Sequence, residues 1–264
     1  MNERIKKTFT DNKKKLVTFI TGGDPSINLS NKIIKIIANS GADLIEIGMP
    51  FSDPMADGPI IQLSSNRAIN KGVNLDDIFS ICKKFRNLNN SIPLILMGYY
   101  NVILNYGIKN FVNSCKINGV DGLIIVDLQP EEDEELLLQA NSNNISLIRL
   151  ITPTTNSERL KTILKNSSGF LYYVTITGIT GQKSANLNNL KNSIKEIRKY
   201  TNLPIVSGFG IKNKKHVNDV CQICDGAIVG SSLIEIIQKN LNDDNKILNN
   251  ISRFVKELKE GTNI

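Results

Sequence analysis

The sequence predicts an α/β protein, a single (β/α)8 or TIM barrel over residues 1–264 with a short N-terminal helix. Three observations carry this expectation. Apolar strand-like runs alternate with helix-period stretches from one end of the chain to the other, the pattern that builds parallel sheets. The strand-like runs number eight, which suits a closed barrel better than its rival, an open doubly wound sheet. The chain of 264 residues is also close to the ~250 that one such barrel takes.

The elements follow in order. KLVTFITGG is the first strand, β-branched and apolar, ended by a glycine pair. In SNKIIKIIANSG the isoleucines fall three and four apart, with Ser30 placed as N-cap and Gly41 as the left-handed cap that ends the helix. DLIEIGM is the second strand. After it, PIIQLSSNRAINKG carries Pro59 in a first helical turn, and LDDIFSICKKFRN makes a second helix. PLILMGYY, DGLIIVD and SLIRLIT are strands three to five. The helices between and after them are IKNFVNSCKING, ending at Gly119, EEDEELLLQANSN, and SERLKTILKNS with Ser157 as N-cap. GFLYYVT, LPIVSGFG and GAIVGS complete the strands, separated by NLNNLKNSIKEIRKY and KKHVNDVCQ. The polar stretch at residues 240–250 reads as a loop before a helical tail. No linker, composition shift or repeat marks a second domain.

Composition narrows the function. Basic residues exceed acidic ones, 32 against 25, but they are scattered in segments such as NKKKL, CKKFR and IKNKKH without interleaved aromatic rings. Bias toward Lys, Asn and Ile explains the net charge of +7, so no nucleic-acid partner is expected. No apolar segment follows the charged start MNERIKKTFTDNKKK, and no run reaches the ~20 apolar residues of a membrane helix. A cytoplasmic protein without membrane association is expected. Cys82, Cys115, Cys221 and Cys224 are too dispersed for a disulfide framework. The lone Cys221-Gln-Ile-Cys224 spacing has no second pair, and His216 is the only histidine, so buried thiols are expected rather than a metal site.

One strand carries an anomaly. Glu46 sits inside LIEIGM, where a carboxylate out of water costs several kcal/mol unless it is paired. The strands offer few cations to pair it, Arg149 being the clearest, which favours a chemical role. Glu46 points into the barrel if Ile45 and Ile47 point out, near the strand end where barrel active sites lie. Asp57 follows in the loop PFSDPMADGP above it, where either an Asx-turn or helix capping is the plainer use of such an acid. The glycine-rich loops TITGITGQKSA, VSGFG and VGSS close strands six to eight. Backbone N–H groups of Gly181, Gly210, Gly230 and Ser231 there could hold a phosphate at a helix start without a lysine.

IEIGMPFSDPMADGPIIQ, TGITG, SGFGI and GAIVGSSLIEII, with TGGDP at the first strand and LMGYYN at the third, resemble the tryptophan synthase α chain family in order over nearly the whole chain. The resemblance implies retro-aldol cleavage of indole-3-glycerol phosphate to indole and glyceraldehyde 3-phosphate. It implies Glu46 and Asp57 as the catalytic pair. It also implies an α2β2 complex with a β chain that holds pyridoxal phosphate, and no cofactor in this chain. Phe19, Met97, Tyr99, Ile151, Tyr172 and Phe209 match positions of the indole pocket, the Tyr172 hydroxyl being able to touch Glu46, and Thr180 matches the loop threonine that closes over the site and bonds the aspartate. Three positions depart from the family: Val102 and Gln129 stand where proline is common, and Ile176 where some members carry a basic residue. A free-standing lyase and a weakly catalytic barrel that activates a β chain are the alternative readings.

Overall fold

The computed structural model describes residues 2–175, 183–208 and 210–264. A short helix, α1 (Glu3–Thr8), comes first, its N-cap Asn2 accepting the Arg4 N–H. The strands are β1 (Lys15–Thr21), β2 (Leu44–Gly48), β3 (Leu94–Gly98), β4 (Gly122–Ile125), β5 (Ser146–Leu147), β6 (Arg149–Ile151), β7 (Leu171–Val174), β8 (Ile205–Gly208) and β9 (Gly226–Val229). Among them run α2 (Ile27–Asn39), α3 (Pro59–Asn70), α4 (Leu75–Leu88), α5 (Tyr100–Tyr106), α6 (Ile108–Ile117) and α7 (Glu134–Ser142). The later helices are α8 (Ser157–Lys165), α9 (Lys183–Ile197), α10 (Lys214–Cys221), α11 (Ser231–Gln238) and α12 (Asp244–Glu260).

All the strand pairings are parallel. The order is β5-β4-β3-β2-β1-β9-β8-β7-β6. Strands β5 and β6 are two halves of one run parted at Ile148: Leu147 pairs with β4, while Arg149 to Ile151 pair with β7. The two ends of the order are therefore one stretch of chain, and the sheet closes into the expected barrel. SLIRLIT changes neighbour midway, which turns eight expected strands into nine segments.

Alternation along the strands sorts the side chains into two layers. Val17, Leu44, Ile95, Ile124, Val206 and Ile228 fill the barrel interior. Leu16, Ile45, Ile47, Leu96 and Leu123 pack outward against the helices. Helix α1 closes the N-terminal end, with Ile5 buried in the interior cluster, Phe9 against Phe170, and Arg4 bonded to the buried Asp121 at 2.8 Å. The other end of the barrel is left for the site.

Helix ends depart from the sequence reading in two places. Ser26, not Ser30, caps α2, because it is Ser26 that has the extended backbone a cap needs; its hydroxyl accepts the Leu29 N–H. Ser30 is buried inside the helix and accepts the Gly23 N–H instead, at 3.2 Å. Asn156 caps α8 by accepting the Arg159 N–H at 2.8 Å, which makes Ser157 the first helical residue. Gly41 and Gly119 have the positive φ values of left-handed caps, 107° and 73°, and Pro59 opens α3 as expected. Most of the polar 240–250 stretch is helix rather than loop. Asp243 caps α12, and Ile247, Ile251, Val255 and Leu258 form its buried stripe at three- and four-residue spacing.

Candidate active site

The interior layer delivers Glu46 to the C-terminal mouth of the barrel. Leu44 lies in the interior cluster, Ile45 and Ile47 pack outward, and Glu46 is therefore directed inward beside its register partners Phe19 and Ile95. It is fully buried, and neither carboxylate oxygen has a hydrogen-bond partner. Desolvation raises its pKa from 4.5 to about 8, so it is mostly protonated at neutral pH. Arg149 is not its partner. That side chain points out of the barrel and pairs with the buried Asp133.

The segment after β2 brings Asp57 back over the mouth. Phe51 packs on Tyr99 with ring centroids 5.3 Å apart, and the Tyr99 hydroxyl accepts the Ala56 N–H at 3.1 Å. The Asp57 N–H donates to the Pro54 carbonyl at 3.0 Å, and Gln62 of α3 donates to the Asp57 carbonyl at 2.8 Å. Gly58 occupies the N-cap of α3, which leaves the Asp57 carboxylate facing the cavity. Burial raises its pKa and a hydrogen bond with Tyr99 opposes that rise. Asp53, the other acid of this loop, bonds its exposed neighbour Ser52.

Helix α3 is itself held to the first strand and its loop. Thr21 and Ser64 hydroxyls lie 2.5 Å apart, and Arg67 grips the fully buried Asp24 through two bonds of 2.8 Å. These contacts fix the helix whose start carries Asp57.

Two cavities meet at the mouth, of about 260 Å³ and about 580 Å³. Asp57, Ile61, Met97 and Tyr172 line both, and so form the seam between them. The smaller is lined by Phe19 and Glu46 together with Gly210, Gly230 and Ser231. Phe19 is seated by two glycines: a Cβ on Gly48 would meet its ring at 2.6 Å, and one on Gly230 at 3.3 Å. The Tyr172 hydroxyl sits over Gly208, and burial, then the carboxyls of Glu46 and Asp57, push its pKa up. It makes no hydrogen bond to Glu46, whose oxygens stay unpartnered.

Eight of the expected site residues thus share one cavity: Glu46, Asp57, Phe19, Met97, Tyr172, Gly210, Gly230 and Ser231. Tyr99 stands behind the wall, buried, holding the Asp57 loop. Ile151 faces the other way, buried in the outer layer between sheet and helices. Its neighbour Leu150 lines the larger cavity in its place. The alternation rule could have found this, since the outward placement of Arg149 turns Ile148 and Leu150 inward and Ile151 out. Thr180, Gly181 and Phe209 lie outside the described residues, as does Ile176. The sequence reading also missed Ile61, which lies inside the PFSDPMADGPIIQ block, and Lys212, just past SGFGI; both line the cavity. Cys82, Cys115, Cys221 and Cys224 are free buried thiols, and no group of metal-ligating side chains forms among the described residues.

A closed parallel barrel with a protonated acid in its mouth, faced by a second carboxyl and by glycine-rich loops, defines an acid–base enzyme of the (β/α)8 class. The family described as tryptophan synthase alpha chain matches residues 5–263. The tryptophan synthase alpha chain of Petrotoga mobilis is 46% identical over 248 residues, covering 94% of this chain and 96% of that one. Among solved structures, tryptophan synthase subunit alpha from Legionella pneumophila superposes with a TM-score of 0.91 at 34% identity, covering 99% of this chain and 98% of that one. A chain of Mycobacterium tuberculosis tryptophan synthase gives 0.89 at 26% identity, with both chains covered in full. This chain belongs to the tryptophan synthase alpha chain family, carbon–carbon lyases that cleave indole-3-glycerol phosphate to indole and glyceraldehyde 3-phosphate in tryptophan biosynthesis.

Proposed function

We propose that Glu46 and Asp57 divide the proton work of this cleavage. Glu46 in its neutral form gives its proton to indole C3, making an indoleninium leaving group. The positive charge that develops at the ring nitrogen is met by the Asp57 carboxylate, which accepts a hydrogen bond and then the proton from that N–H. Glu46, now ionised, takes the proton of the hydroxyl on the adjacent side-chain carbon as the C3–carbon bond breaks. Glyceraldehyde 3-phosphate is released, Glu46 is again protonated, and return of the Asp57 proton to the ring nitrogen gives neutral indole. The observation that carries the proposal is the buried, unpartnered Glu46 carboxyl sharing one cavity with Asp57.

The phosphate belongs on N–H groups of Gly210, in the turn after β8, and of Gly230 and Ser231 at the start of α11. The indole ring belongs against Phe19, Met97 and Leu150, with Tyr172 beside the acids. By the resemblance of GITGQ to the family's loop, the roles of the loop threonine and of a phosphate-binding glycine fall to Thr180 and Gly181. The partner is a β chain in an α2β2 complex, and pyridoxal phosphate belongs to that chain in this family. Exposed Met55 in the β2 loop and Leu104 on α5 give the mouth apolar surface that suits such docking. No helix among the described residues is long and apolar enough to cross a membrane. A cytoplasmic location fits this biosynthetic role.

Substitution tests the assignment. Glu46→Gln and Asp57→Asn are each expected to lower turnover by about a hundredfold or more while substrate binding is kept. Turnover retained in either folded variant would overturn its role.

A further inference from the structure

The basic segment IKNKKH reads from sequence as scattered charge, yet its first lysine lines the reaction cavity. Lys212 follows Gly210 and Ile211 in the turn from β8 to α10. Gly210 bends the chain there with a φ of 56°. Ile211 is buried, and its carbonyl accepts the Ser232 hydroxyl at 2.7 Å, which ties this turn to the first turn of α11. The Lys212 N–H donates to His216 Nδ1 at 3.3 Å. The backbone of Lys212 is thus fixed near the start of α11, while the residue itself is exposed.

The charges of the cavity give that placement a consequence. Glu46, held protonated by burial, Asp57 and Glu235 line it as acids, and Lys212 is the one cation among its described lining residues. Glu235 sits one turn into α11 and is only loosely paired, with Lys239 at 3.6 Å. A phosphate carrying close to two negative charges would meet Glu235 as repulsion, which the helix start offsets only in part.

We infer that Lys212 is a phosphate-binding residue of the substrate site, its ammonium pairing with the substrate phosphate and offsetting Glu235. The inference rests on the phosphate reading of the Gly210, Gly230 and Ser231 loops. It makes Lys212 a residue that selects a dianionic over an uncharged side-chain terminus. Because the lysine is exposed, its contribution is screened by salt.

The test uses the whole protein and inorganic phosphate as the probe. The KM for indole-3-glycerol phosphate and the inhibition constant of phosphate are measured for wild type, Lys212→Gln, Lys212→Arg and Glu235→Gln at low and high ionic strength. Lys212→Gln is expected to raise both constants roughly fivefold at low salt, with a much smaller change in kcat. Lys212→Arg is expected to restore most of the loss, Glu235→Gln to lower both constants, and high salt to shrink all the differences. Phosphate inhibiting Lys212→Gln as strongly as wild type would overturn the role of Lys212 and leave the phosphate site standing. Phosphate that fails to compete with substrate even in wild type would overturn the phosphate reading and the inference with it.

Discussion

At the residue scale, Glu46 was legible because a carboxylate inside LIEIGM breaks the pattern of a buried strand, and the structure buries it with no hydrogen-bond partner. Its raised pKa fixes two signs. In the proposed role Glu46 holds its proton to start the reaction, so kcat/KM is expected to fall as pH rises through about 8, and a profile flat to pH 10 would contradict that role. For stability, the folded state keeps the proton while the unfolded chain loses it near 4.5, so stability falls between 4.5 and about 8 and levels off above. Denaturant melts of Glu46→Gln should therefore gain on wild type between pH 5 and pH 9. An advantage that does not grow over that window would show that Glu46 is not held protonated. Asp57 was harder to read, since a loop acid before a proline-headed helix has plainer uses; the cap position of Gly58 removes one of them. Ile151 and Leu150 differ by one place and so by one face of the sheet. Leu150→Ala should raise the KM for substrate several-fold. Ile151→Ala should cost about 2–4 kcal/mol of stability and leave KM unchanged, and the reverse pattern would return Ile151 to the pocket.

At the scale of elements, the strands were legible as β-branched runs and most helices as isoleucine and leucine stripes. What was missed followed from choices between neighbouring groups. Ser26 and Ser30 are both competent caps, and only the backbone at Ser26 decides between them. Helix α5 in NVILN was hidden by its brevity, and the start of α12 by its Asn and Asp content, although Asp243 is a good cap. Nothing local in the sequence announces the Asp24–Arg67 pair, because it joins elements 43 residues apart. Arg67→Ala leaves a carboxyl in the core without its cation and is expected to cost about 3 kcal/mol in urea unfolding. A loss under about 1 kcal/mol would mean that α3 is held by its apolar face alone.

At the scale of the molecule, eight alternating units implied a closed sheet, and closure dictates where chemistry sits. Strand ends meet at one mouth, which gathers residues as distant in sequence as Phe19, Glu46, Asp57, Tyr172 and Ser231. Closure itself was not readable in detail, because the break at Ile148 arises from one strand serving two neighbours. Of the positions that depart from the family, Gln129 lines the larger cavity together with Asp57. The most direct measurement is single-turnover cleavage of indole-3-glycerol phosphate by the purified chain, alone and with a tryptophan synthase β chain, following indole as it forms. Slow indole release alone and much faster release with the β chain are expected. No indole under either condition from the folded protein would contradict the account.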